Sequence, residues 1–377
     1  MENKKTKVIV GLSGGVDSAV ALINLINEGY DVEAMFMRNW DSAVNNDVMG
    51  NPDLLEDVCP QEKDYQDAVK VAEKLGVKIH RVDFIEEYWN SVFAYFLEEY
   101  RKNRTPNPDI LCNKEIKFKT FLDKAVELGA DFIAMGHYAK VIHDGDKHYL
   151  LRGVDGNKDQ TYFLSQLTSK QLAKALFPIG HMEKPLVREV AREYDLVVAN
   201  KKDSTGVCFI GERNFKEFLM NYIPANPGDI ISTSGEVVGR HDGVMYYTIG
   251  QRRGLKIGGP GEAWFVCGKD TLKNQLIVGQ GSDTELLYAN RVIVTDVNII
   301  NGTFENNQKL AAKFRYRQPD EPVTVRWIDD TTLEVLCDNL VKAITPGQAC
   351  AFYKNGELLG GGLIDKVYKD NKELWYL

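Results

Sequence analysis

Six residues near the N-terminus, Ser13-Gly14-Gly15-Val16-Asp17-Ser18, are of the types needed to hold a polyphosphate. They stand between an apolar run at 7–12 (KVIVGL) and a segment at 17–28 with Val20, Ile23, Leu25 and Ile26 at helical spacing. Two glycines permit backbone angles closed to other residues and let the bare chain approach a phosphate. A helix starting here offers unsatisfied N–H groups and a partial positive charge. Ser13 and Ser18 add hydroxyls, and Asp17 stands where it could hold a Mg²⁺ bridging the phosphates. A Gly-rich turn capped by Asp17 is the plain alternative, and the strand–loop–helix setting weighs against it. No Gly-x-x-x-x-Gly-Lys-Ser/Thr occurs, since Gly268-Lys269 is followed by Asp270, which argues against a kinase-like or motor-type ATPase.

Two cysteines sit in polar, basic settings. Cys112 follows Arg104-Thr105-Pro106-Asn107-Pro108-Asp109-Ile110-Leu111. With Pro108 in a first helical turn, Cys112 lies near a helix start with Lys114 and Lys117 close by, and both features favour a thiolate. Asp109, about one turn earlier, would face the same side and could move protons. Cys208 ends the turn Lys201-Lys202-Asp203-Ser204-Thr205-Gly206-Val207. Either cysteine taken alone is as readily a buried small hydrophobe. The six cysteines, at 59, 112, 208, 267, 337 and 350, include no Cys-x-x-Cys pair, so a zinc ribbon or thioredoxin-type motif is not expected.

The elements that must position these groups alternate in the first half. Apolar runs at 32–37, 77–82 and 132–135 read as strands, and 62–75 reads as a helix closed by Gly76. A doubly wound α/β domain is expected, with a long polar loop at 38–60. From about Gly211 short alternating runs appear between Gly-rich turns, and turn signals follow at Asn301-Gly302, Asp329-Asp330 and Asn355-Gly356. These read as small β domains, the last a barrel or sandwich. The expected division is 1–212, 213–284 and 285–377.

The 377 residues are 44% hydrophobic and 27% charged, the balance of a globular protein. No stretch approaches the roughly eighteen apolar residues of a membrane span. The first residues carry no targeting pattern, so a cytoplasmic location is expected. Net charge is −8, against a large polyanionic partner, yet 101–124 holds seven Lys/Arg against three acids.

The hexapeptide resembles the phosphate loop of the N-type ATP pyrophosphatases, in which Met37 and Gly136 match positions that pack adenine and ribose. The resemblance sharpens over Asn107-Pro108-Asp109 with Cys112, Gly136-His137-Tyr138, Lys158-Asp159-Gln160-Thr161-Tyr162-Phe163, and Asp203-Ser204-Thr205-Gly206 with Cys208. It continues through Tyr247-Thr248-Ile249-Gly250-Gln251-Arg252-Arg253-Gly254, Arg315-Tyr316-Arg317-Gln318 and Pro346-Gly347-Gln348-Ala349. Over nearly the whole chain, in order, these motifs are similar to the bacterial tRNA-specific 2-thiouridylase family.

That resemblance implies an adenine-nucleotide alpha hydrolase-like catalytic domain, two small mainly-β domains with a barrel last, and a monomer. It implies that Gly11, Leu12, Ser13, Gly14, Gly15, Val16, Asp17 and Ser18 cradle ATP, with Met37 and Gly136 beside it and Mg²⁺ as cofactor. Asn107, Pro108 and Asp109 would meet the target base. Cys112 would be the nucleophile and Cys208 the carrier of a persulfide, the sulfur co-substrate loaded by a cysteine desulfurase or sulfur-carrier protein. His137, Lys158, Asp159, Gln160, Arg315, Tyr316 and Gln348 would contact tRNA at its anticodon arm. A synthetase delivering ammonia to a small molecule shares the loop but has no use for paired cysteines. An RNA-binding protein with structural ATP is the non-enzymatic alternative.

Overall fold

The computed structural model describes residues 5–51, 60–203, 214–281, 284–374 and 376. The chain packs as two units, each discontinuous in sequence. The first comprises Met1–Phe93, Pro108–Phe218 and Asn355–Leu359, and the second Ala94–Asn107, Leu219–Lys354 and Gly360–Leu377.

In the first unit, β1 (Lys7–Gly11), α1 (Val16–Asn27), β2 (Asp31–Arg38), α2 (Pro60–Leu75), β3 (Ile79–Asp83) and β4 (Phe132–Ala134) follow the expected alternation. The parallel sheet runs β3-β2-β1-β4 and ends on the short strand Ala175–Leu176. Val8, Ile9 and Val10 have no exposed surface, because helices cover both faces, which is why β1 reads as a continuous apolar run. Val20, Ile23 and Leu25 of α1 join Val187 and Ala191 of the helix Lys184–Glu193 in one core. The polar loop after β2 is ordered by its own side chains over 39–51. Asp41 accepts from the N–H groups of Ala43 and Val44, and Trp40 donates its indole N–H to Asp47. Trp40 in turn packs on Phe93 and Phe218. The hairpin Ala139–Asp144 with Lys147–Arg152 receives Glu357 and Leu358, which pair with Leu151 and Leu150.

The second unit holds two β structures. Strands Trp264–Asp270, Gln275–Gln280, Gly228–Ser232 and Val237–His241 form a four-stranded sheet in that order. Six strands then close a barrel: Tyr288–Ile299, Thr332–Lys342, Glu321–Asp329, Gln308–Lys313, Ala349–Lys354 and Glu357–Lys369, the last pairing back on the first. Alternating inward residues such as Val292, Val294, Val323, Val325, Leu333 and Val335 fill it. The sequence left barrel or sandwich open, and closure by Tyr288–Ile299 on Glu357–Lys369 decides for the barrel. Asn355 (φ +51) and Gly356 (φ +82) make the tight turn their pairing signalled.

Lys269 is buried on the edge of the four-stranded sheet, and its Nζ donates to the Asn103 carbonyl at 2.7 Å. Burial pushes its ammonium down to about 7, from about 10.4 in an unfolded chain. Between those values the unfolded chain binds a proton the folded one does not, so this group's contribution to stability rises with pH. Below 7 both states are protonated and the penalty is complete. Relative to Lys269→Met, wild-type stability is therefore expected to rise by roughly 1.4 kcal/mol per pH unit from 7 to 10. Urea midpoints of both proteins at pH 7, 8 and 9 measure it, and a constant difference would refute it.

Candidate nucleotide site and cysteine helix

The loop between β1 and α1 is held open by its own hydroxyls. Ser18 Oγ accepts from the Ser13 N–H at 3.1 Å and donates to the Gly15 carbonyl at 3.1 Å. Gly14 sits at φ +75, and a Cβ there would lie 2.1 Å from the Asp64 carbonyl oxygen, so no other residue fits. A Cβ on Gly136 would meet the Ser18 nitrogen at 2.8 Å, so glycine lets the end of β4 lie against the start of α1. Met37 is buried, its Cε 3.6 Å from where a Gly11 Cβ would stand, with Met135 nearer still. Gly11, Met37, Gly136 and the loop are thus brought together at the carboxyl ends of parallel strands, the usual ligand crevice of such sheets.

Asp17 does not stand as a bare metal ligand. Its Oδ1 takes the Tyr138 hydroxyl at 2.7 Å, and Lys184 Nζ lies 2.7 and 2.8 Å from its two oxygens. Lys184 also pairs with Asp203 at 2.8 Å, and Asp203 pairs with Lys158 at 2.6 Å and Arg188 at 2.8 Å. On the other flank Lys201 Nζ donates to the Gly14 carbonyl at 2.9 Å and pairs with Asp64 and Asp67, each at 2.7 Å. Burial alone would raise the Asp203 carboxyl, but the bonds and charge of Lys158 and Lys184 overcome it and hold it at about 2. Burial, then the Asp17 charge, pushes the Tyr138 phenol well above its usual value, so it remains a donor.

The Asp17 carboxylate is therefore engaged by Tyr138 and Lys184. Among the described residues no three His, Cys, Asp or Glu gather as a metal cage, and both Asp17 oxygens face an ammonium. The surroundings suit an anion, because lysines held by carboxylates can turn to phosphate oxygens. Lys184, Arg188 and Lys201 were missed in the sequence. Lys184 opens a helix beside Pro185, a position with no spacing relation to residue 17.

Cys112 lies where the proline implied. Helical structure begins at Pro108 with Pro108–Leu111 and continues as wider turns over Cys112–Thr120. Asp109 is half-buried in the first turn, and Cys112 has no exposed surface. Asn113 beside it donates Nδ2 to the Phe163 carbonyl at 2.9 Å. Cys208 lies outside the described residues. His137 is buried between Phe118 and Phe177, and burial, then the Lys117 charge, keeps its ring neutral. Asp159 is buried on Thr161, and Gln160 accepts from the Tyr138 N–H, so this stretch braces the nucleotide loop. Lys158 reaches the same network through Asp203.

In the second unit Asn107 and Tyr316 are half-buried, Tyr316 in a turn just past the strand Gln308–Lys313. Arg315 donates to the Ile249 carbonyl at 3.2 Å and the Thr345 hydroxyl at 3.3 Å. Gln348 Nε2 donates to the Thr105 carbonyl at 2.7 Å.

Fold and loop together define an α/β nucleotide-binding protein of the ATP-pyrophosphatase kind, followed by small β domains. Residues 6–212 match the tRNA methyl transferase HUP domain, 216–280 its PRC-barrel domain and 289–364 the aminomethyltransferase β-barrel domain. The chain is 55% identical over 99% of its length to the tRNA-specific 2-thiouridylase MnmA of Acholeplasma laidlawii, covering 100% of that protein. It is 53% identical over 99% of its length to the tRNA-specific 2-thiouridylase MnmA of Bacillus thuringiensis, covering 98% of that protein. The chain belongs to the family of tRNA-specific 2-thiouridylases.

Proposed function

We propose that this chain uses ATP to adenylate the C2 oxygen of the wobble uridine of tRNA and replaces that oxygen with sulfur. The observation that carries the reading is full-length similarity to 2-thiouridylases combined with a phosphate loop ringed by lysines. Mg²⁺ bound together with ATP would neutralise phosphate charge, and Asp17 is the loop carboxylate that would help hold it. Lys184 and Lys201 turn from carboxylates to phosphate oxygens, and the loop amides stabilise the charge developing on the departing pyrophosphate. Met37 and Gly136 border the adenosine.

The base must leave the anticodon stack to be reached, and Asn107, Pro108 and Asp109 receive it. C2 then carries AMP as its leaving group. A persulfide on Cys208, loaded by a cysteine desulfurase or sulfur carrier, provides the sulfur. In one route its terminal sulfur bonds to C2, AMP departs, and the Cys112 thiolate attacks the inner sulfur to free the thiolated base. In the other, Cys112 attacks first and the released sulfide adds to C2. Both leave a Cys112–Cys208 disulfide, which an external thiol reduces with two electrons. Cys112 is fully buried without substrates, so binding of tRNA must uncover it.

The functional division 1–212, 213–284 and 285–377 is supported by the family matches at 6–212, 216–280 and 289–364. No helix among the described residues is long and apolar enough to cross a membrane, and we take the enzyme as a cytoplasmic monomer. The test is whether ATP yields AMP and pyrophosphate only with tRNA present, and whether nucleosides from that tRNA, given a desulfurase and cysteine, contain 2-thiouridine. AMP formation with ammonia and no tRNA would overturn the reading.

Tyr316, between two arginines, suits stacking on an unpaired base. Tyr316→Ala is expected to weaken tRNA binding about tenfold, the low end of a lost stack, with ATP affinity unchanged. Wild-type affinity will fall as salt rises, because phosphate contacts release counterions. Filter binding at several salt concentrations reads both, and an unaffected variant would remove the stacking role.

A further inference from the structure

Residues 103–107 form a short strap that ends at Asn107, and within the second unit it is fastened at three consecutive residues. Asn103, in the left-handed region at φ +62, ends the helix Ala94–Arg101, and its carbonyl takes the buried Lys269 ammonium at 2.7 Å. Arg104 Nη2 donates to the Ile364 carbonyl at 2.8 Å and to Asp365 at 3.0 Å, while its Nε faces buried Glu99 at 3.3 Å. The Thr105 N–H donates to the Pro346 carbonyl at 3.1 Å, and the Thr105 carbonyl accepts from Gln348 Nε2 at 2.7 Å. Gly347 stands at φ +89, and a Cβ on it would lie 3.0 Å from the Thr105 nitrogen, so the barrel loop 345–348 can close on the strap only with glycine there.

Connecting segments normally lie loose on the surface, and a buried lysine that pairs with no carboxylate among the described residues costs stability. A cost kept on a segment leading into the target-base motif points to function. We propose that Lys269, Gly347 and Gln348 are positioning residues that fix the strap so that Asn107 meets the target base in one place. The proposal rests on the reading above that Asn107 meets the base. It gives Gln348 a task separate from touching RNA, because its Nε2 is committed to Thr105. Misplacing a reacting group by about 1 Å can cost a hundredfold in rate while leaving binding intact.

Full-length Lys269→Met and Gln348→Glu are to be compared with wild type. Pyrophosphate release with saturating ATP and tRNA is expected to fall about 10- to 100-fold in each. The Kd for ATP should stay within about twofold in both variants, and so should the Kd for tRNA in Lys269→Met, since Lys269 belongs to neither set of binding residues. Hydrogen exchange at the Thr105 amide should quicken in both. Wild-type rates in both variants, or unchanged exchange at Thr105, would overturn the proposal. So would a Gln348→Glu enzyme whose only defect is weak tRNA binding, recovered at saturation, because that marks a direct RNA contact. If Lys269→Met fails to fold, Gln348→Glu at a half-buried position carries the test. A wild-type enzyme that releases no pyrophosphate with tRNA would refute the functional reading instead, leaving the exchange result to judge the strap.

Discussion

Cys208→Ser, incubated with a desulfurase and labelled cysteine, will carry no persulfide and make no 2-thiouridine. Cys112→Ser will retain a labelled persulfide on Cys208 and also make none. Both will bind ATP, since neither cysteine belongs to the phosphate loop. Loss of a nucleophile that acts through a covalent step costs several orders of magnitude, on the order of a millionfold where groups act as a unit. On the proposed mechanism the two thiols are not interchangeable, because only one has to be reached by an outside sulfur donor. Cys112, with no exposed surface, is the poor acceptor. The product disulfide requires Cα atoms within about 7 Å in at least one state. Peptide mapping of the labelled enzyme decides: label on Cys112 reverses the assignment, and label on neither removes the persulfide route.

Lys184→Met will lower tRNA-dependent pyrophosphate release by about 10²- to 10³-fold, the range seen when one preorganised donor to a developing oxyanion is removed. The side chain bridges Asp17 and Asp203 at 2.7 and 2.8 Å, so its loss also leaves two carboxylates repelling an incoming phosphate. Asp17→Asn keeps an acceptor for Tyr138 but releases the lysine, and is expected to slow the same step. If Asp17 acts by holding Lys184, the double variant will be little worse than Lys184→Met, since residues acting as a unit are not additive. Fully additive losses, with the Asp17→Asn defect relieved by excess Mg²⁺, would assign the metal role to Asp17 instead. Near-normal turnover in Lys184→Met would sink the lysine's role altogether.

The phosphate loop was legible in the sequence because everything that makes it is local. An apolar strand, two glycines, a serine pair and a helix occur within about a dozen residues, and the Ser13–Ser18 and Ser18–Gly15 bonds span five and three residues. The helix start at Pro108 was legible for the same reason, since proline fits a first turn and its ring sets φ beforehand. The segment 38–60 was legible only as a long polar loop, yet 39–51 folds on itself through Asp41 and Trp40, capping chemistry that leaves little periodic trace. His137 carried no mark of burial in its neighbours Gly136 and Tyr138. Its place between Phe118 and Phe177 depends on residues 19 and 40 positions away in the chain.

By itself the amino-acid sequence determined the alternating α/β half, the strand-and-turn second half, the anion loop, and a cysteine just after a proline-set helix start, all set by periodicity and backbone preference over short spans. Tertiary structure alone decided which charges face one another. Lys184 meets Asp17 across 167 positions, and Gln348 meets Thr105 across 243. Such pairs are fixed by strand order and barrel register, which bring distant side chains within 3 Å without any signal in their spacing. Spacing placed Asp17 in a phosphate loop and Gln348 in a turn, and only the fold shows that Asp17 faces Lys184 and that Gln348 donates to the Thr105 carbonyl.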